Sequence, residues 1–260
     1  MKNNLVKVIT LSIITTFLLI TIHYGIKCFL YEKCIVTGTS MLPTYQSGET
    51  IWIDKKIIGA RISFKDKSIN GGRTFIRLPG KRSIAVGDIA VFNMPYGEAS
   101  RHISFDLYYV FIKRCVGCPG DTIYINNCRY YNSKKGYEVG IPESTTNLLF
   151  STPDSILIMN RCFKAGQFAS KEDEWTVKNF GPVAIPYKGM VINLDSLSIK
   201  LYSSLLEYET GRSAKAIGEQ YIFIHDYYFF AGDNVSDSND SRYFGLVPDD
   251  FIIGVASTLF

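Results

Sequence analysis

The chain opens on a long, mostly apolar run and then changes character. From Val8 to Ile22, and less cleanly to Ile26, no side chain is acidic, and Lys2 and Lys7 precede the stretch. About 19 residues at roughly 1.5 Å each give roughly 28 Å, close to the thickness of a bilayer's hydrocarbon core. The pattern predicts one membrane-spanning helix within residues 1–30. A cleaved signal peptide has similar early chemistry, but His23-Tyr24-Gly25-Ile26-Lys27-Cys28 offers no small-x-small cleavage signal, and Lys27 argues against a lipid-modified Cys28. An uncleaved anchor is the expectation. Lys27 and Lys33 on its far side balance Lys2 and Lys7, so lysine counting does not orient it; the terminal amine tips that end inward.

After the anchor, runs rich in β-branched and aromatic residues alternate with glycine, proline and aspartate turns. Predicted strands are Glu49 to Asp54, Ile89 to Asn93, Tyr108 to Cys115, Thr122 to Ile125, Val191 to Leu194, Tyr221 to His225, Tyr228 to Ala231 and Gly254 to Leu259. Their period-2 alternation and short apolar runs predict a mostly β fold built on a coiled, barrel-like antiparallel sheet. One helix stands out, capped by Asp195 or Ser196 and stopped by Gly211, with Leu197, Leu201, Leu205 and Leu206 on one face. Residues 129–220 are more polar and irregular than their flanks. They are expected to form an inserted α+β region between two parts of the core, 31–128 and 221–260.

With 47% hydrophobic and 14% aromatic residues, the 260-residue chain is able to bury a sizeable core and does not read as disordered. Its net charge of +4 carries no dense basic block, so nucleic acid is not an expected partner; the mild positive balance suits an anionic membrane surface. Six cysteines give no dense disulfide framework. Cys115 and Cys118 form a C-x-x-C, readable as a redox pair or half a zinc site. With no second such pair or histidine-rich partner, two small apolar residues at a strand end is the preferred reading. Cys128 and Cys162 are a candidate pair if the region is exported.

None of the three histidines lies in a recognisable catalytic setting: His23 ends the anchor, and His102 and His225 stand alone. A serine hydrolase here needs another base, and a lysine serves if burial lowers its pKa. Moving a lysine from about 10.4 to about 7.5 costs on the order of 4 kcal/mol and requires an apolar pocket. Lys113 follows Tyr108-Tyr109-Val110-Phe111-Ile112, so a strand delivers it from an apolar sheet. On the serine side, Gly38 permits a tight turn before Ser40 and Pro43 stiffens the segment after it. Each segment also has an ordinary reading, as a snorkelling lysine and as a plain turn.

Four segments in order decide between these readings. Ser40-Met41-Leu42-Pro43-Thr44 resembles the nucleophile motif of bacterial type I signal peptidases. Gly87-Asp88-Ile89-Ala90-Val91-Phe92 resembles that family's next strand motif. Lys113-Arg114-Cys115-Val116-Gly117-Cys118-Pro119-Gly120-Asp121 is similar to its lysine motif. Gly232-Asp233-Asn234 through Asp240-Ser241-Arg242-Tyr243-Phe244-Gly245 is similar to its last. The inserted region looks, more weakly, like the version found in Bacteroidetes.

The resemblance implies a membrane-bound serine endopeptidase that cuts exported preproteins after a small-x-small sequence. Ser40 is then the nucleophile and Lys113 the general base, with Ser238 hydrogen-bonding the lysine amine. Asp240 with Arg242, and Asp233 with Arg114, are implied ion pairs holding the last motif against the lysine strand. Val36, Met41, Phe111 and Ile112 are the candidates for substrate pockets. The implied setting is the inner (cytoplasmic) membrane, single-pass, with the catalytic part on the outer or periplasmic side. A monomer is expected, with the lipid bilayer as its other partner. Some family members place a serine hydroxyl two positions before the nucleophile as an oxyanion donor; this chain has Gly38 there, which leaves the Ser40 N–H. The aspartate-rich loop 233–240 lacks the central glycine and terminal glutamate of a calcium loop, so neither a metal nor an organic cofactor is expected. The alternatives are a dedicated maturation peptidase of a secretion or conjugation system, a self-cleaving repressor-type protease, which would need a DNA-binding region in place of the anchor, and an inactive membrane-tethered β-rich binding module.

Overall fold

The structure, a computed structural model, describes residues 2–65, 73–96, 102–105, 109–160 and 175–257. In chain order the elements are α1 (Lys2–Phe29), β1 (Tyr31–Ile35), β2 (Thr50–Asp54), β3 (Arg61–Lys65), β4 (Arg73–Arg77), β5 (Ile89–Asn93), β6 (Val110–Gly117), β7 (Thr122–Asn126), β8 (Arg129–Asn132), α2 (Glu143–Ser151), α3 (Asp154–Met159), β9 (Phe180–Ala184), β10 (Val191–Asn193), α4 (Ser196–Thr210), β11 (Gln220–Ile222), β12 (Tyr227–Ala231), α5 (Ser241–Phe244), β13 (Val247–Pro248) and β14 (Ile252–Ser257). Seven strands form the main sheet in the order β1-β2-β14-β5-β6-β12-β13, with every neighbouring pair antiparallel. Register shifts in the β14–β5 and β12–β6 pairings mark where bulges add curl to the sheet.

Strands β5 and β12 are buried at every position, as expected of apolar runs in the middle of a sheet covered on both faces. The two faces of β5 feed different cores, because side chains alternate along a strand. Ala90 and Phe92 join the large cluster, in which the Phe92 and Phe230 rings stack at 4.6 Å. Ile89 and Val91 join a smaller cluster with Val36, Met41, Tyr45, Ile51 and Ile53. That second cluster underlies the turn that carries Ser40.

A three-stranded sheet, β8-β7-β9, draws β7 from before residue 129 and its partners from after it. Its apolar side chains, Ile123, Ile125, Phe180 and Val183, belong to the same large cluster as β5 and β12. Helix α4 is capped by Asp195, which accepts from Ser198 N–H at 2.7 Å, and ends on Gly211 with φ of +66°, the left-handed conformation glycine adopts without strain. Its buried face is Tyr202, Leu205 and Leu206, whereas Leu197 is 62% exposed. At about 100° per residue, Leu197 lies about 140° round from Tyr202, so it falls outside the buried face on which the leucine spacing put it.

Other boundaries also differ from the sequence pattern. The strand expected from Tyr221 to His225 ends at Ile222, because Glu209 of α4 accepts the Ile224 and His225 N–H groups, both at 3.0 Å, and pulls the chain out of the ladder. Tyr108 and Leu259, expected strand ends, lie outside the described residues, as does Cys162. The sequence pattern predicts none of strands β1, β3, β4, β8, β9 and β13 and none of helices α2, α3 and α5.

Helix α1 is exposed, and its segment Val6–Phe29 is long and apolar enough to cross a membrane. It runs directly into edge strand β1, where Lys55 Nζ donates to Lys27 O and Lys55 N–H to Leu30 O. The sheet's stability should depend most on the aromatic stack between β5 and β12. Phe92→Ala is expected to cost about 3–5 kcal/mol, read as a lowered denaturant midpoint at unchanged slope.

Candidate active site

The Ser40 turn leaves β1 through Gly38, whose φ of +82° is a conformation other residues adopt only with strain. Leu42 N–H to Thr39 O (3.1 Å) and Tyr45 N–H to Met41 O (3.0 Å) close the turn. Met41 is 1% exposed and plugs it into the smaller core cluster. This corrects the expectation that Met41 touches substrate: its side chain lies beneath the turn.

Lys113 sits in the middle of β6, opposite Ala90 of β5 and 2% exposed. Its Nζ lies 2.6 Å from Ser40 Oγ and 3.0 Å from Ile112 O. Burial, the largest influence, lowers its pKa from the usual 10.5 to about 8; Asp240 and Asp233 pull upward and Arg242 downward. At pH 7 about a tenth of the molecules then carry this lysine neutral, against well under a thousandth at its usual pKa. The neutral amine has a lone pair to accept the hydroxyl proton across the observed contact.

Two carboxylates with no exposed surface order the last motif: Asp233 ties it to this strand, and Asp240 holds it together internally. Asp233 takes a bidentate fork from Arg114, with Nε–Oδ1 and Nη2–Oδ2 both 2.7 Å, while Arg114 Nη1 donates to Gly87 O at 2.8 Å. Asp240 takes a second fork from Arg242, both contacts 2.8 Å, and accepts from Gly232 N–H at 3.0 Å. Gly232 tolerates no side chain, since a Cβ there would stand 2.1 Å from Ser238 Oγ and 2.5 Å from Ser40 O. Ser238 therefore lies beside the Ser40 backbone. Its buried hydroxyl makes no hydrogen bond among the described residues, so the expected bond to Lys113 is not formed.

Other contacts at the site go beyond those the sequence predicts. Thr39 Oγ1 donates to Asp237 Oδ2 at 2.5 Å, Asn234 Nδ2 to Thr39 O at 3.2 Å, and Asn234 N–H to Ser40 O at 3.0 Å. Thr44 Oγ1 donates to Asp233, and from α2 Thr145 Oγ1 donates to Asp233 O at 2.6 Å. The only trace of these in the sequence is the concentration of Asn, Asp and Ser after Gly232. His102 faces Glu207, and His225 faces Asp249 and Asp250. The Cys115 and Cys118 sulfurs are 3.7 Å apart, and both, like Cys128, are free thiols.

A groove of about 190 Å³ opens over Ser40 and Lys113. Val36, Phe111 and Ile112, three of the four proposed pocket residues, line it together with Cys34, Val110 and Asn239.

A hydroxyl held against a desolvated amine, at the floor of an open groove on a coiled antiparallel sheet, is the arrangement that a lysine-assisted serine hydrolase needs. Residues 7–260 match the family described as signal peptidase, peptidase S26. A signal peptidase I of Buchnera aphidicola subsp. Schizaphis graminum is 27% identical over 95% of this chain and 72% of its own length. The signal peptidase I of Aquifex aeolicus is 24% identical over 96% of this chain and 83% of its own. A solved signal peptidase I from Enterococcus faecalis V583 covers 67% of this chain and 97% of its own at 19% identity, with a TM-score of 0.30 that adds nothing to the assignment. The chain belongs to the S26 signal peptidase family and is a serine endopeptidase that removes signal peptides.

Two stability outcomes follow from the buried charges. Asp240→Ala strands the Arg242 guanidinium, which has no exposed surface, and should cost about 3–5 kcal/mol; replacing the pair by Asp240→Leu with Arg242→Met should cost markedly less. Lys113→Met should stabilise the fold at pH 7, by at most on the order of 3 kcal/mol. Between pH 8 and 10.5 the unfolded chain holds the lysine proton that the folded chain has released, so wild-type stability climbs there and the advantage of the variant shrinks. Denaturation midpoints across pH check both.

Proposed function

We propose that Ser40 is the nucleophile and Lys113 the general base in the removal of amino-terminal signal peptides from exported preproteins. The 2.6 Å contact between a turn-borne hydroxyl and an amine whose pKa is brought to about 8 is the observation that carries this reading. Ser40 Oγ passes its proton to Lys113 Nζ as it attacks the scissile carbonyl. The Ser40 N–H donates to the resulting oxyanion. Collapse expels the new amino terminus, which takes the proton from Lys113. Water, deprotonated by the same amine, then frees Ser40 from the acyl-enzyme.

Asp233–Arg114 and Asp240–Arg242 hold Lys113 and the 232–240 loop in fixed relation, and the Ser238 hydroxyl is available to the lysine during turnover. An extended substrate lies between the 34–37 segment and Val110 to Ile112, adding main-chain hydrogen bonds while the walls of Val36, Phe111 and Ile112 admit small side chains only. Helix α1 spans the inner membrane once, places the catalytic part on the outer side and confines enzyme and signal peptide to one surface. The enzyme acts as a monomer. Residues 129–220 form an inserted region whose α2 braces the site through Thr145.

Ser40→Ala and Lys113→Ala should each reduce cleavage of a preprotein by at least about 10³-fold with the fold retained. Because the base works only when neutral, kcat/KM of wild type should rise with pH and reach half its plateau near pH 8, the value to which burial lowers Lys113. Retained cleavage in either variant removes the assignment.

A further inference from the structure

Gly38 leaves the oxyanion without a side-chain donor two positions before the nucleophile, so the aim of the Ser40 N–H matters more here. That N–H belongs to the Thr39–Ser40 peptide. A trans peptide is planar, and its C=O and N–H point in opposite directions. Whatever pins the Thr39 carbonyl therefore aims the Ser40 N–H.

The carbonyl is held from two sides, by Leu42 N–H at 3.1 Å and by Asn234 Nδ2 at 3.2 Å. Asn234 N–H also takes the Ser40 carbonyl at 3.0 Å, so this one residue grips the peptide planes before and after the serine. The side chain of Thr39 is tied to the same loop, through Oγ1 to Asp237 Oδ2 at 2.5 Å. Asn234 is only partly exposed, and its loop is fixed at one end by Asp233 on Arg114 and at the other by Asp240 on Arg242. The clamp is thus mounted on the most rigidly held part of the site.

We infer that Asn234 and Asp237 are positioning residues that orient the Thr39–Ser40 peptide so that its N–H meets the developing oxyanion. This deepens the assignment of Ser40 as nucleophile and rests on it. Neither residue touches the substrate; both act through the turn. Asn234 carries the larger share, since its amide bonds the peptide itself and its N–H the next one, whereas Asp237 reaches the turn only through the Thr39 side chain.

The test uses the full-length protein in detergent. It measures kcat and KM on a preprotein, together with binding of a peptide boronic acid, which forms a tetrahedral adduct on the serine, and of the matching peptide amide, which does not. Asn234→Ala should lower kcat about tenfold to a hundredfold at unchanged KM. Boronate affinity should fall by the same factor and amide affinity should hold. Asp237→Ala and Thr39→Val should each lower kcat about threefold, their combination no further, and Thr39→Ser should restore the bond and the rate. Equal losses for boronate and amide, or full kcat in Asn234→Ala, overturn the inference. Ser40→Ala, assayed alongside, separates the two claims: cleavage surviving there sinks the nucleophile assignment itself, whereas a dead Ser40→Ala beside an unimpaired Asn234→Ala sinks only the clamp.

Discussion

Withholding water from one amine is the constraint around which the rest of the molecule is arranged. Lys113 is 2% exposed in a sheet whose neighbouring strands, β5 and β12, have no exposed position. A lysine in that setting destabilises the fold at neutral pH, and the surrounding aromatic core supplies the excess burial that offsets it. The stack of Phe92 on Phe230 and the pairing of Phe111 with Phe244 at 6.1 Å keep the β5–β6–β12 layer closed around the amine. Stability and reactivity are opposed at this residue, as expected where a side chain is kept in its less favoured protonation state.

Burial is the largest influence on the amine's pKa and lowers it, and the nearby carboxylates partly oppose that. Asp240 and Asp233 favour the ammonium form and Arg242 disfavours it, so the value comes to rest at about 8. Each carboxylate is itself bound to a guanidinium, which keeps it from forming a direct ion pair with the lysine. The Asp233–Arg114 fork ties the 232–240 loop to strand β6, and the Thr44 hydroxyl on Asp233 ties in the turn after β1. The Asp233 carboxylate that helps tune the amine therefore also helps hold it 2.6 Å from the hydroxyl.

What the sequence discloses follows from how local each signal is. Strands β5 and β12 are legible because central strands need continuous apolar runs, and α4 is legible because its cap aspartate and stop glycine adjoin it in the chain. Strands β1 and β4 are not, since Tyr31-Glu32-Lys33-Cys34-Ile35 and Arg73-Thr74-Phe75-Ile76-Arg77 mix charges into short segments at an edge or in a lone hairpin. Among site contacts, the Arg114–Asp233 and Arg242–Asp240 pairs were expected from motif resemblance and are formed. Thr39 with Asp237 was not expected, because the partners are 198 positions apart and neither residue type demands the other. The burial of Met41 was missed for a related reason: a residue beside a nucleophile was expected to face substrate, but the turn needs an apolar plug beneath it.

The position of α1 in the chain adds a mechanical consequence. The helix passes straight into edge strand β1, and β1 passes straight into the Ser40 turn. Lys55 bonds the last turn of the helix at the Lys27 carbonyl and its ion pair with Glu32, at 2.9 Å, fastens the start of β1 to the neighbouring strand. On the proposed anchoring of α1 in a bilayer, the groove wall formed by Cys34 and Val36 is only a few residues from the anchor, at roughly 3.3 Å per residue of extended chain. A signal peptide entering from that membrane would meet that wall first, and the short connection would set where along the substrate the hydroxyl falls; a longer or looser joint between α1 and β1 would surrender that alignment while leaving the buried amine untouched.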